Sequence, residues 1–234
     1  MWRFSLLNSE SPRLDPKFKP NEAQSSGASP GGPQSIFHPA TSMNTQDSKL
    51  TVLIVPGLRD AVAEHWQTLL AAQLPQVHAI PPMGRDLLDC SVRVAAIEEA
   101  MASIEGPVVI VAHSGGAIMV VHWAQTTAHA GRVRGVLLAT PPDFDMPLPP
   151  GYPTLAMLQQ GGWLPVPRQT LPMRSLVAAS RNDPLGSYSR VTELARAWGS
   201  EVIDLGEVGH LNPASGFGEW PMARVLIQRL SQPI

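Results

Sequence analysis

Cysteine is almost absent from this chain. Cys90 is the single one among 234 residues, so no intrachain disulfide can form, and a reducing compartment, the cytoplasm, is expected. Blocks of like charge are also missing. With 17 Lys and Arg against 19 Asp and Glu, the formal charge is −2, which leaves no electrostatic footprint for nucleic acid or an anionic membrane. No run approaches the roughly 18 consecutive apolar residues of a transmembrane helix. There is no Cys/His cluster, no H-E-x-x-H and no G-x-x-x-x-G-K-[ST], so neither a metal nor a nucleotide cofactor is expected. No repeat of fixed period occurs.

Residues 8–49 are short of aliphatic side chains and dominated by Ser, Pro, Gly, Asn and Gln. Such a composition cannot bury enough apolar surface to offset the entropy of ordering, and residues 1–49 are expected to form a disordered tail. The opening Met1–Leu7 is too short and polar for a secretory segment, and Met43 is a candidate natural start. Residues 50–234 then read as one domain.

From Leu50 onward, β-type runs alternate with helical periodicity, the pattern of an α/β domain with a mainly parallel sheet. Strands are expected at 50–55, 77–80, 107–111, 133–139, 175–179 and 201–205, about six in all, with helices on both faces. Asp60 is expected to cap a helix carrying Val62, Trp66, Leu69, Leu70 and Leu74. Asp89 should cap the next, with Val94, Ile97, Met101 and Ile104 on one face. Tyr188, Val191, Leu194, Ala195 and Trp198 mark a further amphipathic helix. In the closing one, Met222, Val225, Leu226 and Leu230 are expected to face inward.

The densest signal is Ala112-His113-Ser114-Gly115-Gly116, where an apolar strand runs directly into an apolar helix. A residue at such an apex adopts a strained backbone costing about 1 to 3 kcal/mol, and small residues are needed two positions either side. Ala112 and Gly116 provide them, a mild departure from G-x-S-x-G. Ser114 is therefore a candidate nucleophile; the alternative is a serine that only caps a buried helix.

A serine hydroxyl is weak at neutral pH and needs a base within hydrogen-bond reach, oriented by a carboxylate. The chain order Ser, Asp or Glu, then His, each after a strand, places the acid at Asp183 and the base at His210. Asp143 and Asp145, after the fourth strand, are alternative acids. Of the remaining histidines, His38 in the tail and His65, His122 and His129 in helical segments read as packed or solvated residues; His78 lies inside a strand, and His113, whose side chain should point away from that of Ser114 on the elbow, is expected to have a secondary role at most. Oxyanion donors are expected at the backbone of Gly115 and in the loop Pro56-Gly57-Leu58-Arg59, at Leu58 first and Gly57 next.

Residues 140–172, rich in Pro and Gly, break the alternation and form a long excursion after the fourth strand. Phe144, Met146, Met157, Trp163 and Leu164 are candidates to line an acyl-binding groove over Ser114; packing of the excursion onto the domain is the alternative for each. Cys90 reads as a small buried hydrophobe.

Four separated blocks, IVPGLRDAVAEHWQ, VAHSGGA, LPMRSLVAASRNDP with AWGSEVIDLG, and VGHLNPASGFGEWP, occur in an order that resembles the small serine hydrolases of the YdeN and retinoblastoma-binding hydrolase type. The similarity spans about residues 50–232. The resemblance implies a minimal α/β-hydrolase fold without a separate lid domain, with Ser114, Asp183 and His210 as the triad and with Trp66 and Gly216–Trp220 as shared scaffold. It implies hydrolysis of small carboxylic esters, with thioesters, lactones or small amides within the same chemistry. One relative named for protein binding makes a protein-binding module on this scaffold the alternative.

Overall fold

Valine, with alanine, leucine and isoleucine, makes the sheet. In the computed structural model, which describes residues 50–59 and 62–232, six strands run β1 (Thr51–Val55), β2 (Val77–Ala79), β3 (Val108–His113), β4 (Val133–Ala139), β5 (Ser175–Ala179) and β6 (Glu201–Asp204). They form one sheet in the order β2-β1-β3-β4-β5-β6, and every neighbouring pair is parallel. Parallel strands need covered faces, and β3 and β5 are buried along their whole lengths. The expected tail, residues 1–49, and the expected cap Asp60 lie outside the described residues.

Alternation splits the strand side chains between two cores. Leu53, Val55, Ile110 and Ala112 point to one face, which is covered by α2 (Cys90–Ser103), α3 (Gly115–Trp123), α5 (Tyr188–Ala197) and part of the 140–172 excursion. Val52, Ile54, Val109 and Val111 point to the other, covered by α1 (Trp66–Gln73) and α6 (Met222–Ser231). Among the described residues no separate lid is evident. Among the described residues, no helix is long and apolar enough to cross a membrane.

Three expectations are corrected. The helix after β1 starts at Trp66, because the His65 ring accepts the N–H of Gln67 at 3.2 Å and so caps it, leaving Val62 46% exposed before the first turn. In α6 the inward stripe is Ala223, Leu226, Ile227 and Leu230, spaced at three and four residues, which turns Met222 and Val225 outward. The excursion contains a short helix, α4 (Leu155–Gln160), capped by the Thr154 hydroxyl. Asp89 caps α2 as expected, accepting from the N–H groups of Ser91 and Val92.

Candidate active site

β3 is one of the two central strands of the sheet, paired with β1 on one side and β4 on the other, and its chain turns into α3 with no intervening loop. Ser114 at that junction has φ 55° and ψ −131°, a left-handed conformation that L side chains rarely adopt. The turn closes because Gly116 has no side chain: a Cβ there would stand 2.4 Å from the Pro56 carbonyl oxygen. Gln67 braces the same edge, its amide donating to the carbonyls of Val55 at 3.0 Å and Val111 at 3.1 Å. The carboxyl ends of β1 and β3 are thereby fixed beside the serine.

Asp183 follows β5 and His210 follows β6, and both side chains come to Ser114. The Ser114 Oγ lies 2.8 Å from His210 Nε2, and His210 Nδ1 lies 2.9 and 3.0 Å from the two carboxylate oxygens of Asp183. A carboxylate accepts, so Nδ1 carries the ring proton and Nε2 is left to accept from the serine hydroxyl. Asp183 also receives the Leu185 N–H at 2.9 Å. The two loops are tied together: Asn182 Oδ1 accepts from the N–H of Gly209 at 2.6 Å, and the Ser180 hydroxyl accepts from the N–H of Val208 at 3.2 Å. Beyond them, the His210 N–H donates to the Ser215 hydroxyl at 3.0 Å.

The alternative acids are engaged elsewhere. Asp143 is buried and accepts from Arg190 Nε at 2.9 Å, while exposed Asp145 pairs with Arg168 and Arg190. Neither touches His210.

Gly57, Leu58 and Gly115 adjoin the serine. A Cβ on Gly57 would meet Ser114 Cβ at 3.2 Å, and one on Gly115 would meet Leu58 Cγ at 2.5 Å, so the Leu58 side chain seats on the start of α3. Gly115 opens that helix, and its N–H has no acceptor within it. Among the described residues the Leu58 N–H has no hydrogen-bond partner either.

Three imidazoles stand in file behind this group. The His113 ring is 5.0 Å from that of His210 and 4.7 Å from that of His65. Complete burial, with smaller contributions from the neighbouring rings of His210 and His65, holds His113 neutral well below the usual histidine range. Burial and the proximity of His210 push His65 down to about 4. By sequence, His65 reads as a packed or solvated residue and Gln67 is given no role. Their signal was their place in the quoted block AEHWQ, directly after the loop that approaches Ser114.

A cavity of about 620 Å³ opens over Ser114, bordered by His65 and His210 and otherwise lined largely by apolar side chains. Phe144 and Met157 line it. Trp163 does not: its ring is fully buried in the core, stacked edge-on against Phe144, with its N–H bound to the Leu88 carbonyl at 2.7 Å. Met146 is 55% exposed and lies outside the cavity, as does Leu164, which packs on the core. Much of the wall comes instead from the segment after β2, including Ile80, Pro81, Pro82 and Leu88.

The family model described as serine hydrolase matches residues 52–229. The chain belongs to the serine hydrolase family. Among solved structures, this serine hydrolase is similar to a YdeN-like hydrolase from Pectobacterium atrosepticum, with 30% identity and a TM-score of 0.68 over 80% of this chain and 93% of that one. It also shares its fold with the ydeN gene product of B. subtilis, at 16% identity and a TM-score of 0.62 over 78% of this chain and 98% of that one. A thermophilic esterase from Thermogutta terrifontis aligns at 15% identity with a TM-score of 0.51, covering 78% and 91% of the two chains. No curated protein matches the chain. The sheet and its helices are thus those of an α/β-hydrolase, and the protein is a hydrolase acting on a small-molecule substrate.

Proposed function

We propose that this hydrolase cleaves carboxylic esters through an acyl-enzyme on Ser114. The observation that carries the reading is the continuous hydrogen-bonded file from Ser114 through His210 to Asp183, ending under an apolar cavity. In this mechanism Ser114 Oγ attacks the ester carbonyl carbon while His210 Nε2 takes its proton. Asp183 keeps the other ring proton on Nδ1 and stabilises the imidazolium. The tetrahedral oxyanion is received by the N–H groups of Gly115 and Leu58, with Gly57 leaving room for it. His210 returns the proton to the departing alcohol, and the same base activates the water that releases the acid. Thioesters, lactones and small amides use the same steps.

The catalytic unit in this proposal is residues 50–234, working in the cytoplasm without a metal, cofactor, nucleic acid or membrane. The lone Cys90, buried and pushed up to about 11 chiefly by its burial, is consistent with a reducing compartment and takes no part in the chemistry. A fluorophosphonate probe tests the reading. Labelling that maps to Ser114 and vanishes in Ser114→Ala, together with turnover of p-nitrophenyl esters, is expected. Folded protein that neither labels nor cleaves any ester overturns it.

A further inference from the structure

We infer that the acyl half of the substrate is an apolar chain ending in a carboxylate, received by Arg85 at the β2 edge of the sheet. The inference rests on the ester-hydrolase reading above and adds the substrate class to it.

The direction of the acyl chain follows from the placement of the base. His210 reaches Ser114 from the β5 and β6 side and must lie close to the departing alcohol to protonate it. The acyl chain therefore extends the other way, across β1 toward β2. The cavity runs in that direction: Ile54, Ala79, Ile80, Pro81 and Pro82 line it, and Ile54 is in register with Ala79 on one side and Val111 on the other. This stretch is apolar and suits methylenes.

Its charge is one-sided. Among the described residues, no Asp or Glu lines the cavity, although the chain has more acidic than basic residues; Arg59 and Arg85 both do. Arg59 is already committed, donating to the Gly151 carbonyl at 3.1 Å with its guanidinium 4.1 Å from the centre of the Tyr152 ring. Arg85 is exposed, and among the described residues it makes no hydrogen bond or ion pair. Its guanidinium offers a planar fork that matches a carboxylate. Two strand spacings separate β2 from β3, roughly 10 Å, a span that an acyl chain of about eight carbons covers.

The test compares the p-nitrophenyl half-ester of octanedioic acid with neutral p-nitrophenyl octanoate on the same enzyme preparation. The expected kcat/KM ratio favours the half-ester about tenfold and shrinks as salt screens the exposed charge. Arg85→Gln is expected to bring the ratio near one, and Arg85→Lys to keep most of it. An ester carrying its carboxylate in the alcohol half should gain nothing. A wild-type ratio at or below one, or a ratio unmoved in Arg85→Gln, overturns the inference and leaves the ester reading standing. Loss of that reading shows differently, as no turnover of either ester and no labelling of Ser114.

Discussion

His113 donates a hydrogen bond from Nε2 to the backbone carbonyl of His210 across 3.0 Å, joining residues 97 apart in sequence. The acceptor is a carbonyl, so this nitrogen carries the proton, and the burial that keeps His113 neutral leaves it with only that one. The bond holds a loop that carries one strained residue beside His210, Leu211, with φ of 48°. His113 is in this way a positioning residue for the proposed base.

Replacing His113 with Phe fills the space and removes the donor. The His210 loop then loses an anchor, and kcat is expected to fall about 10- to 100-fold with little change in KM, the signature of a displaced catalytic group rather than of lost binding. His113→Gln can place an N–H near the former Nε2 and should recover most of the rate. Steady-state kinetics on both variants checks this; equal rates for Phe and Gln would remove the hydrogen bond from the account.

The two acid positions separate cleanly by mutation. Asp183→Asn keeps the size of the group but favours the wrong tautomer of His210, and kcat is expected to drop by about 10⁴ with the fold retained. Asp143→Asn breaks the contact with Arg190 instead, so thermal stability should fall while kcat stays within a few-fold. Measuring both variants on one ester, with melting curves alongside, decides between them. The reverse pattern would assign the acid role to Asp143.

Much of this arrangement is legible in the sequence because parallel strands buried on both faces are spelled as aliphatic runs; Ser175–Ala179 and Val133–Ala139 have the expected bounds. Strand ends in a parallel sheet share one edge, which is why Ser114, Asp183 and His210 could be read as neighbours although 96 residues separate the first from the last. The cavity wall is legible only in part: Phe144 and Met157 line it as expected, whereas Met146, Trp163 and Leu164 do not. Trp163 and Phe144 look alike as large apolar residues in one excursion, and only the tertiary fold decides that Trp163 turns into the core against Leu88. The same holds for α1, whose cap is an unusual one: His65 is ranked low among capping residues and is used here because its ring also packs on His113.

Glycine requirements at the elbow predict a sharp contrast between two single-methyl changes. Gly116→Ala would push a Cβ to 2.4 Å from the Pro56 carbonyl and 2.7 Å from that of Val55, and neither backbone atom can yield without moving β1. A loss of about 3 kcal/mol of stability is expected, with activity falling further as Ser114 shifts. Gly131→Ala meets nothing within 4 Å and should change stability by less than about 0.5 kcal/mol. Denaturant midpoints for the pair check this.

Stability should also fall in mildly acidic solution, and His65 should account for part of it. Above pH 6.5 this ring is neutral in both folded and unfolded chains, so it contributes no pH dependence. As pH falls below 6.5 the unfolded chain takes up a proton that the folded protein refuses until about pH 4, so unfolding gains steadily across that window. Buried His113 acts in the same direction and continues to lower pH. Asp89 and Asp204, held below the usual carboxylate value by their hydrogen bonds, lose their contributions only near and below pH 4, which keeps the window from 6.5 to 4.5 largely to the histidines. His65→Asn retains an oxygen that can cap α1 and removes the titration. The urea midpoint of the variant should therefore lie close to that of the wild type at pH 7.5 and fall less steeply toward pH 4.5. Parallel curves would mean that the His65 proton is not what the folded protein excludes.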